Sequence, residues 1–97
     1  MNKTTEKQAL IDKIVEALQD VKGEDIMIFD LSNIENSVAE TFIICSGNSN
    51  TQVSALAGAV EKKVRNELQD RPWHVEGTEN AMWVLVDYVT VVVHIFQ

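Results

Sequence analysis

Apolar positions recur along this chain with two different periods, and the changes of period mark out its elements. From about Thr5 to Asp20, Ile11, Ile14, Val15 and Leu18, continued by Val21, follow the i, i+3, i+4, i+7 rhythm of one helix face. Asp12, Lys13, Glu16 and Asp20 fall opposite, on a solvated face. Thr5 and Gln8 have capping-box spacing, and Lys22-Gly23 supplies a stop. Ile26 to Leu31 is a short, nearly all-apolar run, which reads as a strand buried on both faces. A polar turn over Ser32 to Ser37, with Asn33 and Asn36, separates it from a second strand, Thr41 to Ser46. Gly47-Asn48 breaks that strand, and Ser49 with Gln52 repeats the capping-box spacing. A second helix, about Asn50 to Gln69, carries Val53, Leu56, Ala57, Val60, Val64 and Leu68 on its stripe, with Lys62, Lys63 and Arg65 off it. Gly58 costs this helix about 1 kcal/mol relative to alanine, and a small residue there is expected to let the helix approach the sheet closely. Arg71-Pro72 ends the helix. Trp73 to Glu76 is a third strand and Gly77 to Asn80 a polar loop. Ala81 to Asp87 and Val91 to Phe96 form a closing pair around Tyr88-Val89-Thr90.

The order α-β-β-α-β-β-β predicts an α+β fold, with a mixed five-stranded sheet and two main helices. Five strands at about 4.8 Å spacing make a sheet roughly 24 Å wide. Two helices about 10 Å across cover one face of it. Yet strands one, four and five are apolar on both faces, so part of the second face is expected to lack a cover from its own chain. An uncovered apolar face of that size marks an interaction surface. Trp83 alternates with Met82 and Val84, which assigns it to that open face as a partner anchor. The opposite assignment would put Trp83 under the helices and Met82, Val84 and Val86 outside.

Composition narrows the function classes. Ninety-seven residues make one domain with one core. No apolar run approaches the roughly 20 residues of a membrane-spanning helix, and the polar start carries no signal-peptide pattern. A single cysteine forms no intrachain disulfide and points to a cytoplasmic setting. Fifteen acidic against eight basic residues give a net charge of −7, which opposes binding to DNA or RNA by bulk charge and suits a basic partner.

The candidate chemistry is thin. Cys45 lies in an apolar strand with no neighbouring base, as a structural thiol does. Neither His74 nor His94 has metal ligands at useful spacing, so no metal or cofactor is expected. Ser46 to Ser49 lacks the lysine and glycines of a phosphate loop and reads as a helix cap. Asp87 and His94 are the polar residues within the closing pair; Asp87 is expected to close the turn, and His94 to be hydrogen-bonded near the sheet end. The element order also occurs in nucleotidyltransferases, whose metal ions need two carboxylates at i and i+2 on one strand face. None of the fifteen acids has another two positions away, so a catalytic metal site is missing. An enzyme of nucleotidyl or phosphoryl transfer would have to rely on Asp30, Asp87 and His94.

Ile43-Ile44-Cys45-Ser46-Gly47-Asn48-Ser49 before an amphipathic helix, then Val75-Glu76-Gly77, Trp83 to Tyr88 and Val91 to Phe96, resembles the ribosomal silencing factor family, also called Iojap-related. The resemblance covers nearly the whole chain. It implies a nucleotidyltransferase-like fold without the catalytic carboxylates, a homodimer in isolation, and no enzymatic activity. It also implies binding to large-subunit ribosomal protein fourteen, which blocks joining of the small subunit and represses translation. On that reading Trp83, Leu85, Asp87, Tyr88 and His94 are the expected partner-binding residues. Three departures stand out. Val89-Thr90 occupies a turn where the family often has Gly-Asp, and Glu40-Thr41 stands where Asp-Tyr is common. The family also continues past the His-x-Phe segment into a tail ending near a Leu-Trp pair, which is expected to be missing here because the sequence stops at Gln97.

Overall fold

The computed structural model describes residues 3–31 and 40–97, with side chains in the first helix from residue 6 onward. Seven elements follow in the anticipated order: α1 (Lys3–Asp20), β1 (Glu24–Asp30), β2 (Thr41–Ser46), α2 (Asn50–Leu68), β3 (His74–Glu76), β4 (Trp83–Asp87) and β5 (Val91–Phe96). The polar turn assigned to Ser32 to Ser37 lies outside the described residues. So does the Thr5 side chain, although α1 begins at Lys3, ahead of it.

The strands form one mixed sheet in the order β1-β2-β5-β4-β3. Among the described strands, β2 and β5 run parallel and the other neighbours are antiparallel. Both helices pack on one face. Ile14 and Leu18 of α1 and Val53, Leu56, Val60 and Val64 of α2 are fully buried there, against Ile43, Val84, Val86, Val93 and Ile95 of the sheet. The helical stripes read from the sequence are therefore the core stripes. Lys13 of α1 reaches Glu67 of α2 at 2.9 Å, and Lys63 of α2 reaches Asp20 of α1 at 3.3 Å, both across the helix pair on the solvent side.

The helix ends show how the sequence turns the chain. At the end of α1 the Gly23 N–H donates to the Leu18 carbonyl (2.8 Å) and the Lys22 N–H to that of Gln19 (3.0 Å), a Schellman closure. Lys22, at φ 62°, takes the left-handed position. Gly23 is needed for space instead: a Cβ there would press into Cys45 Sγ. Ser49 caps α2, its Oγ accepting from the Gln52 N–H at 3.1 Å. Gln52 reaches back to accept from the Asn48 N–H (2.7 Å), while its amide donates to the Val21 (3.2 Å) and Lys22 (3.1 Å) carbonyls. One glutamine thus joins the end of α1 to the start of α2.

Two packing expectations are corrected. The β1 strand is not buried on both faces: it is a sheet edge, and Met27, Ile28 and Phe29 are 51, 51 and 40% exposed. The helices cover the middle of the sheet and stop short of it, and an apolar run alone does not distinguish an edge from a centre. Nor does Gly58 admit a close approach; it faces solvent, with nothing near its Cβ position. The closing pair begins at Trp83, later than Ala81, because Ala81 sits at φ 53°, a left-handed conformation that a strand does not use.

Candidate partner-binding face

Strand alternation sends every second residue away from the helices. On β4 these are Trp83, Leu85 and Asp87; on β5, Val92, His94 and Phe96; on β2, Phe42, Ile44 and Ser46. Register aligns them in rows: Ile44 beside His94 beside Leu85, and Ser46 beside Phe96 beside Trp83. Phe42, Ile44, Trp83, His94 and Phe96 together line a shallow depression of about 480 Å³. No element among the described residues covers it.

Trp83 is 58% exposed, whereas Val84 and Val86 are fully buried beneath the helices. Trp83 therefore faces away from the helices as its alternation with Val84 predicts, and the opposite assignment fails. Met82 is also exposed, but it lies just before β4 and so falls outside the strand alternation.

His94 is the polar centre of this apolar surface. Its ring stacks on Trp83 (centroids 5.9 Å apart, planes at 20°) and tilts against Phe42 at 5.1 Å. Nε2 is buried and meets no hydrogen-bond partner among the described residues. This corrects the expectation of a hydrogen-bonded histidine near the sheet end. Burial holds its pKa below the ordinary histidine value, so the ring is neutral near pH 7.

Asp87 behaves as expected for a turn residue, accepting the Val89 N–H at 2.7 Å. It stands opposite Val92, one step along the ladder from the Leu85–His94 pair. Leu85 is half-buried on the open face. Tyr88 is separated from the others. It is buried on the helix side, bordering a hollow lined also by Leu10 and Leu68, and its hydroxyl meets no partner among the described residues. Burial raises its pKa. Of the residues nominated from sequence, the fold thus gathers Trp83, Leu85, Asp87 and His94 on one face and leaves Tyr88 behind it.

The structure does not bring Asp30, Asp87 and His94 together. Asp30 pairs with Thr41, which faces the helices, while Asp87 and His94 face the other way. Among the described residues no three His, Cys, Asp or Glu side chains converge on a metal position. His74 instead meets Glu76 at 2.8 Å on the exposed β3 edge. Burial pushes the Cys45 thiol up to about 11, consistent with an inert core residue. In the Ser46–Ser49 loop, the Ser49 hydroxyl and the Asn48 N–H serve the start of α2, while the Ser46 hydroxyl donates to the Glu24 carbonyl (3.3 Å) and the Gly47 N–H to that of Phe96 (2.9 Å).

Sequence reasoning missed Phe42, Ile44 and Phe96 as parts of the face. The signal was there. In Thr41 to Ser46, Phe42 and Ile44 alternate with Ile43 and Cys45, so β2 is apolar on both faces just as β4 and β5 are.

The family model for "Ribosomal silencing factor during starvation" matches residues 4–97. The chain belongs to the ribosomal silencing factor family. A ribosomal silencing factor from Halalkalibacterium halodurans is 40% identical over 90 residues, covering 93% of this chain and 75% of that protein. One from Chromobacterium violaceum is 41% identical, covering 93% and 72%. Solved structures agree: a crystal structure of a Chromobacterium violaceum protein superposes with a TM-score of 0.85 at 40% identity, covering 92% of this chain and 72% of that one. A second, from Bacillus halodurans, gives 0.82 at 39% identity, covering 93% and 82%. No helix in the described residues of this family member is long and apolar enough to cross a membrane.

Proposed function

We propose that this chain is a non-enzymatic translation repressor of the cytoplasm. It docks its open sheet face on the large ribosomal subunit, through large-subunit ribosomal protein fourteen. By occupying the surface that meets the small subunit, it keeps the subunits from joining. The observation that carries this reading is the uncovered apolar depression around Trp83 and His94, in a chain of the ribosomal silencing factor family. A net charge of −7 supports a basic protein partner over ribosomal RNA. In the absence of ribosomes the same apolar surface is closed by a second copy, giving a homodimer.

Sucrose-gradient sedimentation tests the function. The protein should travel with large subunits, and adding it to separated subunits should lower the yield of joined ribosomes. Sedimentation at the top of the gradient, or unchanged subunit joining, refutes the reading.

A further inference from the structure

The two edges of the sheet are built differently. The β3 edge is three residues long, and its outer residues, His74 and Glu76, are polar and exposed. Short, polar edges resist pairing with other chains. The β1 edge has no such protection over Met27-Ile28-Phe29. It carries no proline and no lysine or arginine, and its apolar side chains project to both faces. Met27 and Phe29 stand beside Ile44 and Phe42 on the open face, while Ile28 stands beside Ile43 on the helix side. Scattered apolar residues on a surface need no explanation. Three in a row on an edge strand, with no strand beyond it among the described residues, do, because an added strand would cover both faces of them at once.

We propose that β1 accepts an extended, basic segment of a partner protein as a sixth strand. The outward N–H and C=O groups of an edge supply the main-chain bonds for such an addition, and the side chains on either face supply selectivity. The bulge at Asp25 (φ 51°), where the β1–β2 register shifts, fixes one limit of the usable edge. Pairing therefore runs from Met27 towards Asp30.

Charge selects the occupant. Glu24, Asp25 and Asp30 flank the apolar run, and β1 contains no basic residue. Two copies paired antiparallel through β1 would bring Glu24 and Asp25 of each towards Asp30 of the other. Pairing them parallel would stack like on like. Both arrangements set carboxylates against carboxylates, which destabilises strand pairs. A strand with lysine or arginine around apolar residues reverses every one of those contacts. The added strand would lie along the outer edge of β1, beside the Trp83–His94 depression, whose Ile44 and Phe42 adjoin Met27 and Phe29.

Titration of the isotopically labelled chain with the capped peptide Lys-Val-Lys-Val-Lys-Val-Lys, followed by amide resonances and hydrogen exchange, tests it. Shifts and slowed exchange should centre on Met27 to Asp30. Replacing the peptide's lysines by glutamate should weaken binding at least tenfold. So should replacing its central valine by proline, which keeps the charge but interrupts the strand. The variant Ile28→Lys should bind at least tenfold more weakly; Glu24→Lys, which leaves the apolar edge intact, should lose severalfold. Shifts spread over the acidic surface, equal binding of the proline peptide, or no binding at millimolar peptide would each overturn the proposal. So would protection of β1 that rises with the chain's own concentration, since that identifies a second copy as the occupant.

Discussion

His94 and Trp83 make opposite contributions to one surface, and each has its own test. Trp83 is held by the sheet backbone and by stacking on His94, not by the core. Trp83→Ala should therefore leave the fold intact, with a stability change of about 0.5 kcal/mol, the scale of surface substitutions. On the proposed docking mode it should cost at least about 2 kcal/mol of large-subunit affinity, roughly thirtyfold. Thermal melting and gradient co-sedimentation measure the two quantities. A variant that unfolds, or one that binds large subunits unchanged, refutes the anchor role. His94 carries the pH dependence. Its folded pKa lies below its ordinary value of 6.5, so the unfolded chain takes up a proton that the folded chain refuses. Stability from this group is complete above pH 6.5 and declines as pH falls from there towards the folded pKa, below which it levels off. Denaturation midpoints at pH 7.5 and pH 5 should differ less for His94→Gln than for the wild type. Equal differences would show that His94 does not titrate in this way.

At the scale of elements, the β4–β5 connection is the place where local sequence and local geometry disagree. The Thr90 N–H donates to the Tyr88 carbonyl at 3.0 Å, and Val89 between them has φ 76°. That is a γ-turn with a positive central φ, a rare and strained conformation. A β-branched residue there costs about 1–3 kcal/mol, whereas glycine adopts it freely and loses about 0.5–1 kcal/mol more in chain entropy on folding. Val89→Gly should stabilise the protein by about 1 kcal/mol, which for a domain of this size is about 4–8 °C in melting temperature. Val89 is half exposed, so little packing is lost. An unchanged or lowered melting temperature would show that the valine is not strained. The strand assignments themselves were legible from alternation, and β2 and β5 begin and end where the sequence places them. What alternation missed was position in the sheet. Ile26 to Leu31 and Val91 to Phe96 look equally apolar, but β5 lies between β2 and β4 while β1, among the described residues, has a neighbour on one side only.

Taken whole, the molecule is an acidic body with one apolar face that no described element covers, and this separates its two proposed associations by their response to salt. Two copies at net charge −7 repel each other, so self-association should strengthen as salt screens that repulsion. Binding to a basic ribosomal partner should weaken over the same range. Light scattering should report a dimer whose dissociation constant falls between about 50 and 300 mM salt, where the screening length shrinks below about 10 Å. A monomer at every concentration and salt tested would refute closure of the face by a second copy.

From sequence alone, the periods of the apolar residues determined the elements, the helical stripes and the outward direction of Trp83, because 3.6- and 2-residue repeats are properties of the local backbone. Capping at Ser49 and the turn bond of Asp87 were local in the same sense, each involving groups within three residues. Only the tertiary structure decided the rest. Strand order made β1 an edge and brought Phe42 and Ile44 beside His94, although some fifty residues separate them in sequence. It also placed Tyr88 beneath the helices, apart from its sequence neighbour Asp87. Such outcomes depend on which strands pair and how far two helices reach across the sheet, and those are choices made between distant segments.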